Sequence, residues 1–203
     1  MNMNKALTLF IMLIVLGCSK QSENCFIPFP EKLDSLDINP GIRYDYFEFR
    51  IGPNSERVFI SRVNPELDLN IKDEMSLKFD SIQVESGFSE FPHLRGFNYV
   101  LSQFKDETKV WNTSSELKTF LGEIDTKTEA QIYIMSMGFP PILHDTTQTG
   151  VKRMNNKFIV RATRMDNLCN PIITNRYTFS VDKLGHIDTL EIKMIDKDEK
   201  GCI

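Results

Sequence analysis

Thr126-Lys127-Thr128-Glu129-Ala130-Gln131-Ile132-Tyr133-Ile134-Met135-Ser136-Met137-Gly138 is the stretch on which the fold turns. A threonine followed three residues later by a glutamate forms a capping box, each side chain satisfying an orphan N–H at a helix start. Gly138 suits the left-handed position just past a helix end, and Pro140-Pro141 forbids continuation. The sequence therefore predicts a helix running to Met137. Its apolar residues (Ala130, Ile132, Tyr133, Ile134, Met135 and Met137) spread broadly around the helix, so it is expected to pack on a sheet. A second capping box, Thr113-Ser114-Ser115-Glu116, opens a shorter helix that ends at Gly122.

Downstream the period changes from 3.6 to two. Asn155-Asn156 marks a turn, and residues 157–165 alternate with Phe158, Val160 and Ala162 on one side. Residues 176–181 carry Tyr177, Phe179 and Val181 inward, and Asp182-Lys183-Leu184-Gly185 turns the chain. Residues 186–195 follow, with Leu190, Ile192 and Met194 alternating. A helix followed by antiparallel strands gives a sheet with the helix laid across it.

Upstream, residues 41–63 read as a hairpin. Ile42, Tyr44 and Tyr46 alternate, then Phe47, Phe49 and Ile51; Gly52-Pro53-Asn54-Ser55 turns, and Val58 and Ile60 share the returning face. The aromatics of this hairpin fall on both faces, so something must cover the second one. Leu67, Leu69, Ile71 and then Met75, Leu77, Phe79 also show period two, which predicts a second hairpin rather than a helix. Residues 86–96, with two glycines and a proline, read as a connecting loop. That loop divides a β-rich half (31–90) from an α+β half (91–203), whether as two domains or one. For residues 97–104 periodicity leaves strand and helical turn both open. Trp111, near Phe97, Tyr99 and Phe104, reads as a core aromatic, with a stacking groove as the alternative. The expected class is α+β: antiparallel sheets with one or two short helices on the C-terminal sheet, preceded by β-hairpins. This order of elements resembles PepSY and cystatin-like modules of exported proteins, a likeness of pattern without a shared motif.

The chain opens Met1-Asn2-Met3-Asn4-Lys5, basic and without acid, and runs apolar from Ala6 to Leu16 except for Thr8. A helix over that run measures roughly 16 Å, far short of a hydrocarbon core of about 30 Å. Residues 1–17 thus read as a secretory signal rather than a span. Val15-Leu16-Gly17-Cys18 resembles the lipobox of bacterial lipoprotein precursors. The resemblance implies a diacylglyceryl group on the Cys18 thiol and cleavage between Gly17 and Cys18. Two acyl chains give stable anchoring where one gives marginal binding. Residues 18–30 are expected to tether the lipid to the domain, Ser19-Lys20-Gln21-Ser22-Glu23-Asn24 being wholly polar. Ser19 after the cysteine, in place of Asp, implies passage to the outer membrane in the enteric version of that pathway.

Removing residues 1–17, which hold one lysine and no acid, takes the formal charge from −4 to −5. An acidic chain with interspersed charges reads as an ordinary solvated surface and argues against nucleic acid. Cys25, Cys169 and Cys202 remain beside Cys18. In an oxidising compartment a disulfide is expected, with Cys169–Cys202 favoured and Cys25–Cys202 open as the alternative.

Catalytic signals are sparse. His93, His144 and His186 lie too far apart in sequence to share a helix face, and no HExxH, GxSxG, GxGxxG or P-loop occurs. Cys169 with His186 makes a nucleophilic pair only if Cys169 is a thiol, and neither a metal nor a cofactor is expected. The expectation is a non-enzymatic binding or assembly module held at a membrane by lipid, meeting an envelope protein or glycan. An inhibitor or immunity lipoprotein is the first alternative. The second is an envelope hydrolase working through two scattered carboxylates.

Overall fold

The computed structural model describes residues 25–29, 37–52, 56–60, 69–91, 96–139 and 147–201. Among them the chain forms an α+β fold of nine strands and three helices, in two antiparallel sheets. Sheet I contains β1 (Tyr46–Gly52), β2 (Glu56–Ile60), β3 (Phe88–Phe91), β4 (Gly96–Phe104) and β5 (Glu107–Trp111). β4 is its spine: β1 pairs along one edge, and β3 and β5 share the other. Sheet II is a meander of β6 (Gly150–Met154), β7 (Lys157–Leu168), β8 (Ile172–Asp182) and β9 (Ile187–Asp198), in that order.

The helices α2 (Ser114–Leu121) and α3 (Lys127–Ser136) lie between the sheets. Both capping boxes are formed as expected, on Thr113 with Glu116 and on Thr126 with Glu129. α3 is buried from Thr128 to Ser136, the signature of a helix with no face to give to water. Around it close Phe47, Phe49 and Trp111 from sheet I, Leu117 and Phe120 from α2, and Val160, Phe179 and Val181 from sheet II. Trp111 belongs to this core. Its Nε1 donates to Ser102 Oγ at 2.8 Å and its ring lies 5.6 Å from that of Phe120, whereas Tyr99 packs on the other side of the sheet. At the end of α2, Gly122 takes φ +70° and lies against Gly41, where a Cβ on either residue would sit under 3 Å from the other's Cα.

The hairpin of β1 and β2 and the three long C-terminal strands stand as the alternation predicts, and residues 97–104 are strand. Three expectations are corrected. The second hairpin is a helix, α1 (Leu69–Asp80). Its contacts follow i, i+4: Met75 and Phe79 turn onto sheet I while Leu77 is 70% exposed. The loop at 86–96 contains β3, whose pairing with β4 recruits Phe88 into the core. Residues 25–29, assigned to the tether, dock on sheet II instead. Ile27 exchanges two backbone hydrogen bonds with Val151, both 2.9 Å, and Phe29 is buried. Phe26, Ile27 and Phe29 supply the apolar reason. α1 also supplies the cover that the second aromatic face of β1 required.

Truncating Phe120, which packs on Tyr44, Phe47 and Trp111, tests this layering. Phe120→Ala should cost about 3–5 kcal/mol in denaturant unfolding. Leu77→Ala on the exposed side of α1 should stay within about 0.5 kcal/mol.

Candidate functional site

Of the residues singled out in the sequence, Gly17, Cys18, Cys202, His93 and His144 lie outside the described residues. Cys169 is disulfide-bonded, so it offers no thiolate to His186. Its neighbour Asn170 donates to the Gly201 carbonyl at 3.0 Å. Cys25 is an exposed thiol. His186 is exposed, with Nδ1 3.0 Å from Asp182. Among the described residues no three His, Cys, Asp or Glu side chains gather closely enough to hold a metal ion.

Among the described residues two carboxylates are fully buried, against the expectation that the charges form an ordinary solvated surface. Glu48 points from β1 into the interface with α1. It accepts from Tyr46 Oη, from Ser76 Oγ at 3.0 Å and from Arg50 Nε at 2.6 Å. Arg50, equally buried, also meets Asp80 of α1 at 2.9 Å. The pair sits on alternate residues of one strand, so a single face holds Tyr46, Glu48 and Arg50 together. Its orientation ties α1 to sheet I. Such a buried pair sets which surfaces meet more than how strongly they do.

Glu129 is the second. Its carboxylate accepts from the backbone N–H of Asn39 at 2.6 Å, Asp125 at 2.9 Å and Thr126 at 3.0 Å. Thr126 Oγ1 in turn donates to the Asp37 carbonyl at 2.6 Å. The capping box therefore also clamps the segment entering β1. Burial pushes the Glu129 carboxyl up to about 7, against the pull of its three N–H donors and with a further upward push from Asp125. Its oxygens are engaged by backbone, so this acid is structural. Glu48 and Glu129 lie on opposite faces of sheet I and share no cleft.

An open cleft of about 470 Å³ lies between the start of β3 and the facing ends of α2 and α3. Gly87, Phe88, Asn112, Thr113, Ser114, Ser136, Met137 and Gly138 line it, without a carboxylate, imidazole or thiol. This leaves the geometry of a two-carboxylate hydrolase without a place there.

Beyond the end of α3 the inner face of sheet II passes from core to surface, with Ala162 and Tyr177 buried and Arg164, Ile192 and Met194 exposed. Arg164, Asn175 and Met194 are direct cross-strand partners, as are Ala162, Tyr177 and Ile192, so all six share one face. Asp166, the extra residue of a β-bulge, organises it. It accepts from Arg164 Nε and Asn175 Nδ2, each at 2.6 Å, and from Tyr177 Oη. These donors hold its carboxyl below the usual range despite burial, and burial holds the Tyr177 phenol up. Phe139 packs edge-on to Tyr177 at 4.9 Å and lies under the Arg164 guanidinium at 4.5 Å. Beside this ordered cluster Ile192 and Met194 are 58% and 56% exposed. An exposed guanidinium held over aromatic rings beside exposed aliphatic side chains is the kind of group that binding hot spots use.

Removing one member of the buried pair should cost more than removing both. Arg50→Met, leaving Glu48 without its cation, is expected to lose about 3–5 kcal/mol in urea unfolding, and the double variant E48M/R50M less than that. For Glu129 the folded value lies above the ordinary 4.5. Its protonated form therefore stabilises fully below pH 4.5, and that contribution is lost as pH rises through about 7. Relative to Glu129→Gln, wild type should lose stability between about pH 4.5 and 8; a constant difference would contradict the raised value. No family model, curated protein or solved structure matches the chain, and likeness to a known protein lends it no function.

Proposed function

We propose that this protein is an exported bacterial lipoprotein, cleaved before Cys18, whose folded part is a non-enzymatic binding or assembly module of the cell envelope. The observation that carries the reading is Val15-Leu16-Gly17-Cys18 at the end of a basic-then-apolar leader too short to span a bilayer. All the described elements lie after that point, from residue 25 onward, so cleavage removes no part of the described fold. No described helix is long and apolar enough to cross a membrane, and the lipid on Cys18 is the anchor in this reading. The outer membrane is its destination.

The binding surface is the face of sheet II that carries Arg164, Ile192 and Met194 around the buried Tyr177. It favours a protein partner over a glycan, because its two exposed aliphatic residues reward burial of apolar surface. The reading supplies no catalytic group, cofactor or nucleic-acid contact.

Mass measurement of the protein extracted from membranes tests the anchor. The expected species begins at Cys18 and carries the diacylglyceryl increment, while Cys18→Ser accumulates as a full-length precursor without acyl chains. A Cys18→Ser protein still processed and still membrane-bound would end the lipoprotein reading.

A further inference from the structure

From Asp145 to Asp166 the intervening stretch of this acidic chain holds no acid but five bases: Lys152, Arg153, Lys157, Arg161 and Arg164. Lys152, Arg153 and Lys157 flank the β6–β7 turn, at whose tip Arg153, Met154, Asn155, Asn156 and Lys157 are all exposed. Lys157 Nζ approaches Asp188 at 3.5 Å between two largely exposed side chains, a pairing that water and salt screen. Met154 itself is 45% exposed. The tip therefore joins positive charge to an apolar side chain.

The docked N-terminal segment runs along the outer edge of β6. Its bridge is antiparallel, Ile27 opposite Val151, so each step toward the N-terminus from Ile27 moves from Val151 toward Met154. The position of Phe26 agrees with that direction. Its ring lies under Lys152 Nζ at 4.9 Å and under the Arg161 guanidinium at 3.9 Å. The described segment therefore points, at Cys25, toward the basic tip. Six residues separate Cys25 from Cys18, and the seven steps between the two, fully extended, reach at most about 25 Å.

On the lipoprotein reading given above, we infer that the β6–β7 turn is the membrane-facing end of the domain, with Lys152, Arg153 and Lys157 on anionic headgroups and Met154 at the interface. A short tether alone limits the distance of the domain from the bilayer. The basic tip at its exit selects which end turns down. The attraction of each base to an anionic surface falls off within a Debye length.

The test uses the full lipidated chain inserted into vesicles with brominated acyl chains, made with or without phosphatidylglycerol in phosphatidylcholine. A Met154→Trp variant carries the reporter, since the one native tryptophan, Trp111, is buried. We expect emission from the introduced indole to be quenched at least about twofold more on the anionic vesicles, with the excess lost at about 0.5 M salt. Adding the triple substitution K152Q/R153Q/K157Q should abolish the excess while leaving anchoring and the unfolding midpoint unchanged. Equal quenching on both vesicles, in a protein whose mass shows the acyl group, overturns the orientation and spares the lipoprotein reading. A mass without the acyl group removes that reading and the orientation with it. Crosslinking of the tip to a protein in place of lipid also overturns the orientation.

Discussion

A helix buried from Thr128 to Ser136 cannot exist beside a single sheet, because one sheet covers only one side of it. α3 therefore requires both sheets, and neither sheet is complete without it. Sheet I gives it Phe49 and Phe88, and sheet II gives it Val160 and Phe179. The position of α3 along its axis is set by polar contacts at its start. Glu129 gathers three backbone N–H groups, one of them from Asn39 ninety residues earlier in the chain. That carboxylate satisfies donors that would otherwise be buried without partners, a loss of about 1–3 kcal/mol each. Through it the approach to β1 is fixed relative to the helix, and sheet I relative to sheet II.

The outer face of sheet I obeys a different logic. Tyr46, Glu48 and Arg50 occupy positions that apolar residues would fill at no cost in desolvation. A fully apolar face would also accept α1 in several registers. The Arg50–Asp80 contact and the Ser76–Glu48 hydrogen bond are available in one register only. Met75 and Phe79 supply the burial, and the polar groups decide where it happens.

These causes explain what the sequence discloses. Capping boxes, Gly122 and Gly138 are local chemistry, legible without knowing what the helices touch, and they mark both buried helices correctly. The C-terminal strands are equally legible, because Phe158, Val160 and Ala162 and then Tyr177, Phe179 and Val181 recur at period two beside clear turns. α1 misleads because Leu69, Ile71, Met75, Leu77 and Phe79 satisfy period two, while of the last three the fold buries the i, i+4 pair Met75 and Phe79 and leaves Leu77 exposed. The Glu48–Arg50 pair is invisible for a related reason. An aromatic–charged alternation reads as a half-solvated strand until helix residues 28 positions or more away in sequence cover the charged face. The cluster around Asp166 escapes because it depends on a bulge, and nothing in Met165-Asp166-Asn167 announces one. Cys18 is the reverse case, a residue whose reading rests on its sequence neighbours alone.

Sheet II has two edges, and the chain treats them oppositely. β6 is met by the docked N-terminal segment, which pairs with its edge at Val151. β9 is the other edge, three strand spacings or roughly 14 Å away. It carries Leu190, Ile192 and Met194 exposed, and two register shifts against β8. Bulges on an edge strand discourage unselective strand pairing, so the exposed aliphatic side chains there are not an invitation to stack another sheet edge-on. They lie instead beside the rigid Asp166–Tyr177–Arg164 cluster. On the lipoprotein reading proposed above, a short tether leaving at β6 would draw that edge toward the bilayer and leave the β9 side of the sheet clear of it. A binding surface at β9 would then not compete with the membrane for space.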